Sequence, residues 1–208
     1  MSGAAFNPDR FNEALRRFDQ ENARDPLSEP HDGKPWPREL LYAHRLYDQV
    51  MLLAPKASEP LRLAARSQHI CRWSIPRERY PKTREGYLQW RTELKQFHAD
   101  KAGEILREVG YDEDVVRRVQ DLNLKKNFPR DPESRVLEDA LCLLFLRHQF
   151  AELAEKTSDE KMVNALRKSW GKMTEHARAE ALKVEFGANE KRLIELALKP
   201  KGGSAAAE

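Results

Sequence analysis

The segment that most constrains this chain is VLEDALCLLFL, residues 136–146, where apolar side chains surround the helical axis instead of keeping to one stripe. Val136, Leu137, Ala140, Leu141, Leu143, Leu144, Phe145 and Leu146 leave such a helix little solvent face, so other elements must close around it. Asp131 reads as its N-cap, with Pro132 at the first helical position. Glu138 and Asp139 fall inside the apolar run. A buried carboxylate without a partner is costly, so at least one of them should meet an arginine, a histidine or a metal.

The surrounding elements read as helices too. Asn7 caps a first helix opened by Pro8. The stretch ENARDPLSEPHDGKPWPRE, broken by Pro26, Pro30, Pro35, Pro37 and Gly33, reads as a surface loop in which His31 and Asp32 are a solvated pair. A second helix covers Glu39 to Leu53, with Leu40, Ala43, Tyr47, Val50 and Ala54 on its stripe and His44 at the edge. Ser58 caps a third, expected to run to about Ser74 before Pro76, with Leu63, Ala64, Ile70 and Cys71 on one face. Arg62, Arg66, His69 and Trp73 lie on the opposite face. Pro76 to Gly86 reads as a loop, and Tyr87 to Val109 as a long helix ended by Gly110. The stripe Tyr87, Trp90, Leu94, His98, Ala102, Ile105, Val109 puts His98 on the buried side, where its nitrogens need a structural hydrogen bond or a metal. A shorter helix follows over DEDVVRRVQDLNLKKN, and the last third reads as two or three amphipathic helices interrupted near Gly171 and Gly187. The fold class expected is therefore all-α, one domain over residues 1–200, with a low-complexity, disordered tail at 201–208.

Net charge is +3, with 34% charged and 40% hydrophobic residues, a mild balance that by itself implies no nucleic acid. No run approaches the ~20 apolar residues of a membrane span, and MSGAAFNPDR lacks a signal-peptide core, so a cytoplasmic protein is expected. Cys71 and Cys142 form no zinc spacing and read as buried free thiols. The charge is unevenly spread. Between Leu61 and Lys95 nine bases face three acids, interleaved with Trp73, Tyr80, Tyr87 and Trp90, a pairing suited to phosphates and bases. Arg72, Arg77 and Arg91 come from a helix end, a loop and the start of the next helix, and the chain reversal between them can gather all three around one anion. Distant acids such as Glu138 and Asp139 are the structural alternative for meeting that charge. No glycine-rich phosphate loop or GxSxG elbow is present.

Two resemblances sit on these residues. YAHRLYDQV, LRLAARSQHI, FHADKAGEILREVGYDEDVV and RDPESRVLEDALCLLFL, in that order, resemble the helical series of the HD-domain metal-dependent phosphohydrolases. That family uses an early histidine, a His-Asp pair, a later histidine and a final aspartate. His44, His98 and Asp139 fall at three of these positions, while Gln68 and His69 stand where the family has His-Asp. The resemblance implies an HD-like bundle with a C-terminal helical extension, holding a divalent ion (Mn, Fe, Zn or Mg) through His44, His69, His98 and Asp139. PRELLYAHR, AARSQHICRWSIPR, YPKTREGYLQWRTEL and VLEDALCLLFL also resemble a domain-of-unknown-function family, some members of which carry a glutamyl-tRNA synthetase label, although no HIGH-like or KMSK-like motif is present.

The leading expectation is a metal-assisted phosphohydrolase acting on a phosphate-bearing small molecule such as a nucleotide. Glu138 and Asp139 would be its catalytic carboxylates, Arg72, Arg77 and Arg91 would hold the phosphate, and Trp73 or Trp90 would stack on a base. The alternatives are a non-catalytic module binding RNA or another acidic partner along the same surface, and a di-iron HD-like oxygenase.

Overall fold

The computed structural model describes residues 6–199, so the expected tail at 201–208 lies outside the described residues. Of the described residues 72% are helical, which bears out the all-α expectation. It divides into two compact units, Met1–Leu137 and Glu138–Glu208.

In the first unit, α1 (Pro8–Asn22) starts where Asn7 Oδ1 accepts from the amides of Asp9 and Arg10 at 3.0 and 3.1 Å. Phe11, Ala14 and Phe18, spaced three and four apart, go into the core. The stretch read as a loop holds a hairpin instead, β1 (Ser28–His31) against β2 (Lys34–Pro37), antiparallel with His31 opposite Lys34. Its two turn residues, Asp32 and Gly33, have φ of 50° and 74°, the backbone of a turn that matches strand twist. His31, the last residue of β1, and Asp32 in the turn lie 3.6 Å apart, Nε2 to Oδ2.

Helix α2 (Arg38–Leu53) buries Glu39, Ala43, Leu46 and Val50, so its buried stripe runs beside the expected one, and Leu40 and Tyr47 are half-buried. Helix α3 (Glu59–Ser67), capped by Ser58, is shorter than expected, and residues 63–68 form an unbroken buried run. It stops because the backbone turns left-handed at Cys71 (φ 51°), whose amide donates to Asn22 Oδ1 at 3.1 Å. Two 3-10 turns follow, Arg72–Ser74 and Arg77–Arg79. Arg66, expected on the face opposite Leu63 and Ala64, is buried as they are, because α1 packs there and brings Asp19 into a bidentate pair with it at 2.9 and 2.7 Å. Thr83 Oγ1 then accepts from Gly86 N at 3.1 Å and opens α4 (Arg84–Val109), closed by Gly110 at φ 90°. Helix α5 (Glu113–Leu124) is capped by Asp112 and ends on Lys125 at φ 58°. It packs on α3 and α4, closing the core formed by Phe18, Leu46, Leu61, Leu63, Ile70, Leu106 and Leu122.

Helix α6 (Pro132–His148) starts as expected, with Asp131 Oδ1 accepting from the amides of Glu133 and Ser134 at 2.9 and 3.0 Å. Leu137, Ala140, Leu143 and Leu144 are buried, while Val136, Leu141 and Phe145 are half-buried, so the helix keeps a less covered side. The second unit continues with α7 (Phe150–Lys156), α8 (Asp159–Lys172), α9 (Glu175–Ala181) and α10 (Ala188–Leu198), broken near Gly171 and Gly187 as expected. Its core includes Leu143, Leu144, Phe150 and Met162. Both cysteines are buried and outside any disulfide, and burial beside Glu21 pushes the Cys71 thiol up to about 12. No helix among the described residues is long and apolar enough to cross a membrane.

Candidate functional site

The early end of α3 decides where the chemistry sits. With the helix stopped at Ser67 and Cys71 turned left-handed, His69 and Arg72 leave the helical path and meet Glu39 from the first turn of α2. Arg72 Nε lies 3.6 Å from Glu39 Oε1, and His69 Nδ1 lies 3.5 Å from Glu39 Oε2. Tyr42, one turn along α2, stacks on the His69 ring with centroids 4.2 Å apart and planes 12° apart. From α4, His98 brings its ring to 5.7 Å from that of His69.

The three titratable groups are biased toward their neutral forms. Burial, then the charges of Arg72, Lys125, Arg91 and Arg38, hold the His69 imidazole well below its ordinary range. Its 3.5 Å approach to Glu39 is therefore a neutral contact and not an ion pair. Burial, then the neighbouring His69, brings His98 down to about 3, against the opposing effect of the bond that its Nδ1 donates to the Ile70 carbonyl. Burial also pushes Glu39 above the usual carboxylate range, outweighing the pull of Arg72, Arg38 and His98. His69 nevertheless keeps 24% of its side chain open to solvent. The ring is thus packed among Tyr42, Glu39 and His98 and is still reached by solvent.

The arginines expected at one anion site gather around one aromatic pair. The Arg72 and Arg77 guanidinium groups stand 4.9 and 6.0 Å from the centre of Trp90, and Arg91 stands 5.9 Å from Tyr87, whose ring is 5.9 Å from Trp90. Their roles differ. Arg77 donates to the carbonyls of Tyr80 and Pro81 at 2.9 and 2.8 Å, which makes it the tie of its own loop. Trp90 donates from its indole to the Ile75 carbonyl at 2.8 Å and carries guanidinium groups on its ring, so it supports Arg72 and is not a free stacking surface. Trp73 is half-buried in the first 3-10 turn.

The remaining expected residues have other partners. His44 Nε2 contacts Arg66 Nη2 and lies 3.4 Å from Asp19 Oδ2. In the second unit, Glu138 accepts from Lys172 Nζ at 2.9 Å, and Asp139 accepts from the amide and hydroxyl of Thr174 at 3.0 and 2.6 Å, anchoring the start of α9. Both buried carboxylates are partnered, and these partners, a lysine and a helix cap, differ from the arginine, histidine or metal expected. Gln68, at the position of a family metal ligand, donates to the Asn123 carbonyl at 3.4 Å.

Among the described residues, no group of three or more His, Cys, Asp or Glu side chains stands where it could hold a metal ion. Glu39, His69 and His98 do approach one another, and there the charges of Arg72, Lys125, Arg91 and Arg38 oppose a dication while favouring an anion. The donor set does not fit the divalent ion that the HD likeness implies.

Glu39, Tyr42, Arg38 and Lys125 are the members that sequence reasoning missed. A signal existed for Glu39: it stands four residues before Ala43 and seven before Leu46, on the stripe that is buried. No curated protein and no solved structure matches this chain. Residues 12–194 match the model of the domain of unknown function DUF4202, and the chain belongs to that family.

Proposed function

We propose that the site around His69 binds a phosphate-bearing small molecule and hydrolyses its ester. The observation that carries this reading is the company His69 keeps: four cationic side chains act on one neutral imidazole, and the one carboxyl beside it, Glu39, is itself biased toward the neutral acid. An anion is the natural counter-charge for such a set, and guanidinium groups recognise phosphate oxygens in pairs. A bound phosphate offsets the cations and raises the proton affinity of His69, which then takes a proton from the attacking water. Glu39 gives its proton to the leaving ester oxygen, so an alcohol departs and the water oxygen becomes the fourth oxygen of the phosphate. No step passes through a metal.

The test is calorimetric binding of phosphate monoesters at rising salt together with phosphate release, for wild type and for Arg72→Ala and His69→Ala. Binding should weaken with salt and fall by about tenfold or more in Arg72→Ala, since a hydrogen bond to a charged group is worth ~1.5–3 kcal/mol. His69→Ala should abolish release while retaining binding. Salt-insensitive binding, unchanged in Arg72→Ala, would refute the anion site; tight binding without release would leave a binding module in place of an enzyme.

A further inference from the structure

Phosphate recognition accounts for the cations but not for a second feature of the same site, its unanswered acceptors. His98 is 2% exposed, and its Nδ1 lies 2.8 Å from the Ile70 carbonyl oxygen. A carbonyl only accepts, so Nδ1 carries the proton and Nε2 presents a lone pair. Among the described residues that Nε2 has no hydrogen-bond partner, and neither has Glu39 Oε2. Both flank His69, whose ring is 5.7 Å from that of His98 and whose Nδ1 is 3.5 Å from Glu39 Oε2.

The same bookkeeping repeats where α3 meets α5. Gln68 Nε2 donates to the Asn123 carbonyl, and Asn123 Nδ2 donates at 3.1 Å to Ser67 Oγ, which itself donates to Leu63 O at 3.0 Å. Those bonds fix both amide orientations and leave Gln68 Oε1 and Asn123 Oδ1 as buried acceptors without a partner. Buried polar groups in folded proteins are almost always satisfied, so the unpartnered His98 Nε2 and Glu39 Oε2 beside the solvent-reached His69 point to a ligand that brings hydrogen-bonding groups of its own. An ionised phosphate brings no donor. An ammonium group or a metal ion would meet the charges of Arg72, Lys125, Arg91 and Arg38. Neutral hydroxyl groups remain.

We infer that the ligand is a polyhydroxylated phosphate ester, a sugar phosphate free or within a nucleotide, one of whose hydroxyls donates to His98 Nε2 and another of which pairs with the Glu39 carboxyl at Oε2, while its phosphate meets Arg72 and the neighbouring cations. This rests on the phosphate reading above and narrows it. A site that leaves its buried acceptors unanswered rejects an analogue lacking the hydroxyls, because those acceptors then stay desolvated and unbonded.

The experiment is calorimetric titration of the wild-type protein at low salt with two pairs: ribose 5-phosphate against butyl phosphate, and adenosine monophosphate against its 2′,3′-dideoxy analogue. The hydroxylated member of at least one pair should bind about tenfold tighter or more; a gap only in the second pair assigns a nucleotide, and a gap in the first assigns the sugar phosphate itself. His98→Leu should narrow the gap, and because the ligand series needs no variant, the test stands if that protein fails to fold. Equal affinities within both pairs would overturn the inference while leaving phosphate binding intact. No binding of any of the four would instead sink the phosphate reading on which it rests.

Discussion

Replacing Asp131 separates two jobs that one carboxylate performs. Its Oδ1 caps α6 through the amides of Glu133 and Ser134, and both of its oxygens meet the guanidinium of Arg118, which also bonds Glu133 at 2.6 Å. Asparagine keeps the cap and discards the ion pair, whereas alanine discards both. The pairing with Arg118 holds the Asp131 carboxyl at about 2, against an ordinary 3.8. At ~1.4 kcal/mol per unit, that drop limits the ionic contribution to roughly 2.5 kcal/mol. Solvent screening around Arg118, whose side chain is 32% exposed, brings it to about 1 kcal/mol. The cap adds about 1 kcal/mol. At pH 7, urea unfolding should therefore find Asp131→Asn about 1 kcal/mol and Asp131→Ala about 2 kcal/mol less stable than wild type. The folded-state value is depressed, so the ionic part is present above pH 4 and is lost as pH falls toward 2, with roughly half gone by pH 3. A gap between wild type and Asp131→Asn that stays constant from pH 7 to pH 3 would refute the ionic account. Equal losses in the two variants would refute the separate cap.

Three further perturbations probe other parts of the argument. His98 is held neutral down to about pH 3, so the unfolded chain binds a proton that the folded one refuses between pH 6.5 and 3, and stability must fall as pH drops through that window. In His98→Gln, urea unfolding at pH 7, 6 and 5 should show a pH slope shallower by about 1 kcal/mol per unit; an unchanged slope would remove His98 as its source. Thr174→Ala takes a hydroxyl from Asp139 and the cap from α9, and should cost about 1–2 kcal/mol by thermal or urea unfolding. A Cβ on Gly86 would come within 2.3 Å of the Pro81 carbonyl oxygen, so Gly86→Ala should cost about 1–3 kcal/mol and loosen the loop that Arg77 ties, with faster amide exchange over residues 77–83 as the readout.

Local chemistry was legible in the sequence where the deciding partner lies a few residues away. Asn7, Ser58, Asp131 and Gly110 mark helix ends because each acts on backbone within one turn. The buried place of His98 follows from spacing along a helix for the same reason. The end of α3 was not legible: its stop depends on Asn22, which reaches the Cys71 amide from another helix, and cysteine carries no preference for a left-handed backbone. A helix running to about Ser74 keeps His69 on its polar face and Arg72 at its end, and neither placement foretells their meeting with Glu39. Lys125 was hidden likewise, since a residue closing α5 joins the group around His69 only through packing. On α2, Leu40 beside Leu41 and Leu46 beside Tyr47 offered two apolar stripes one position apart, and only burial against neighbouring helices chooses between them.

The prolines that disguised the hairpin also limit what it can recruit. Pro30 stands opposite Pro35 in the register, and neither has an amide hydrogen. They therefore suit a pair that exchanges no ladder bonds, where the missing hydrogens would have pointed away from the partner strand. Each outer edge of the ribbon consequently lacks a donor at its middle, where an incoming strand would need one. A ribbon so blunted on both sides resists edge-to-edge growth, whether the intruder is a third strand of its own chain or the same ribbon of another copy.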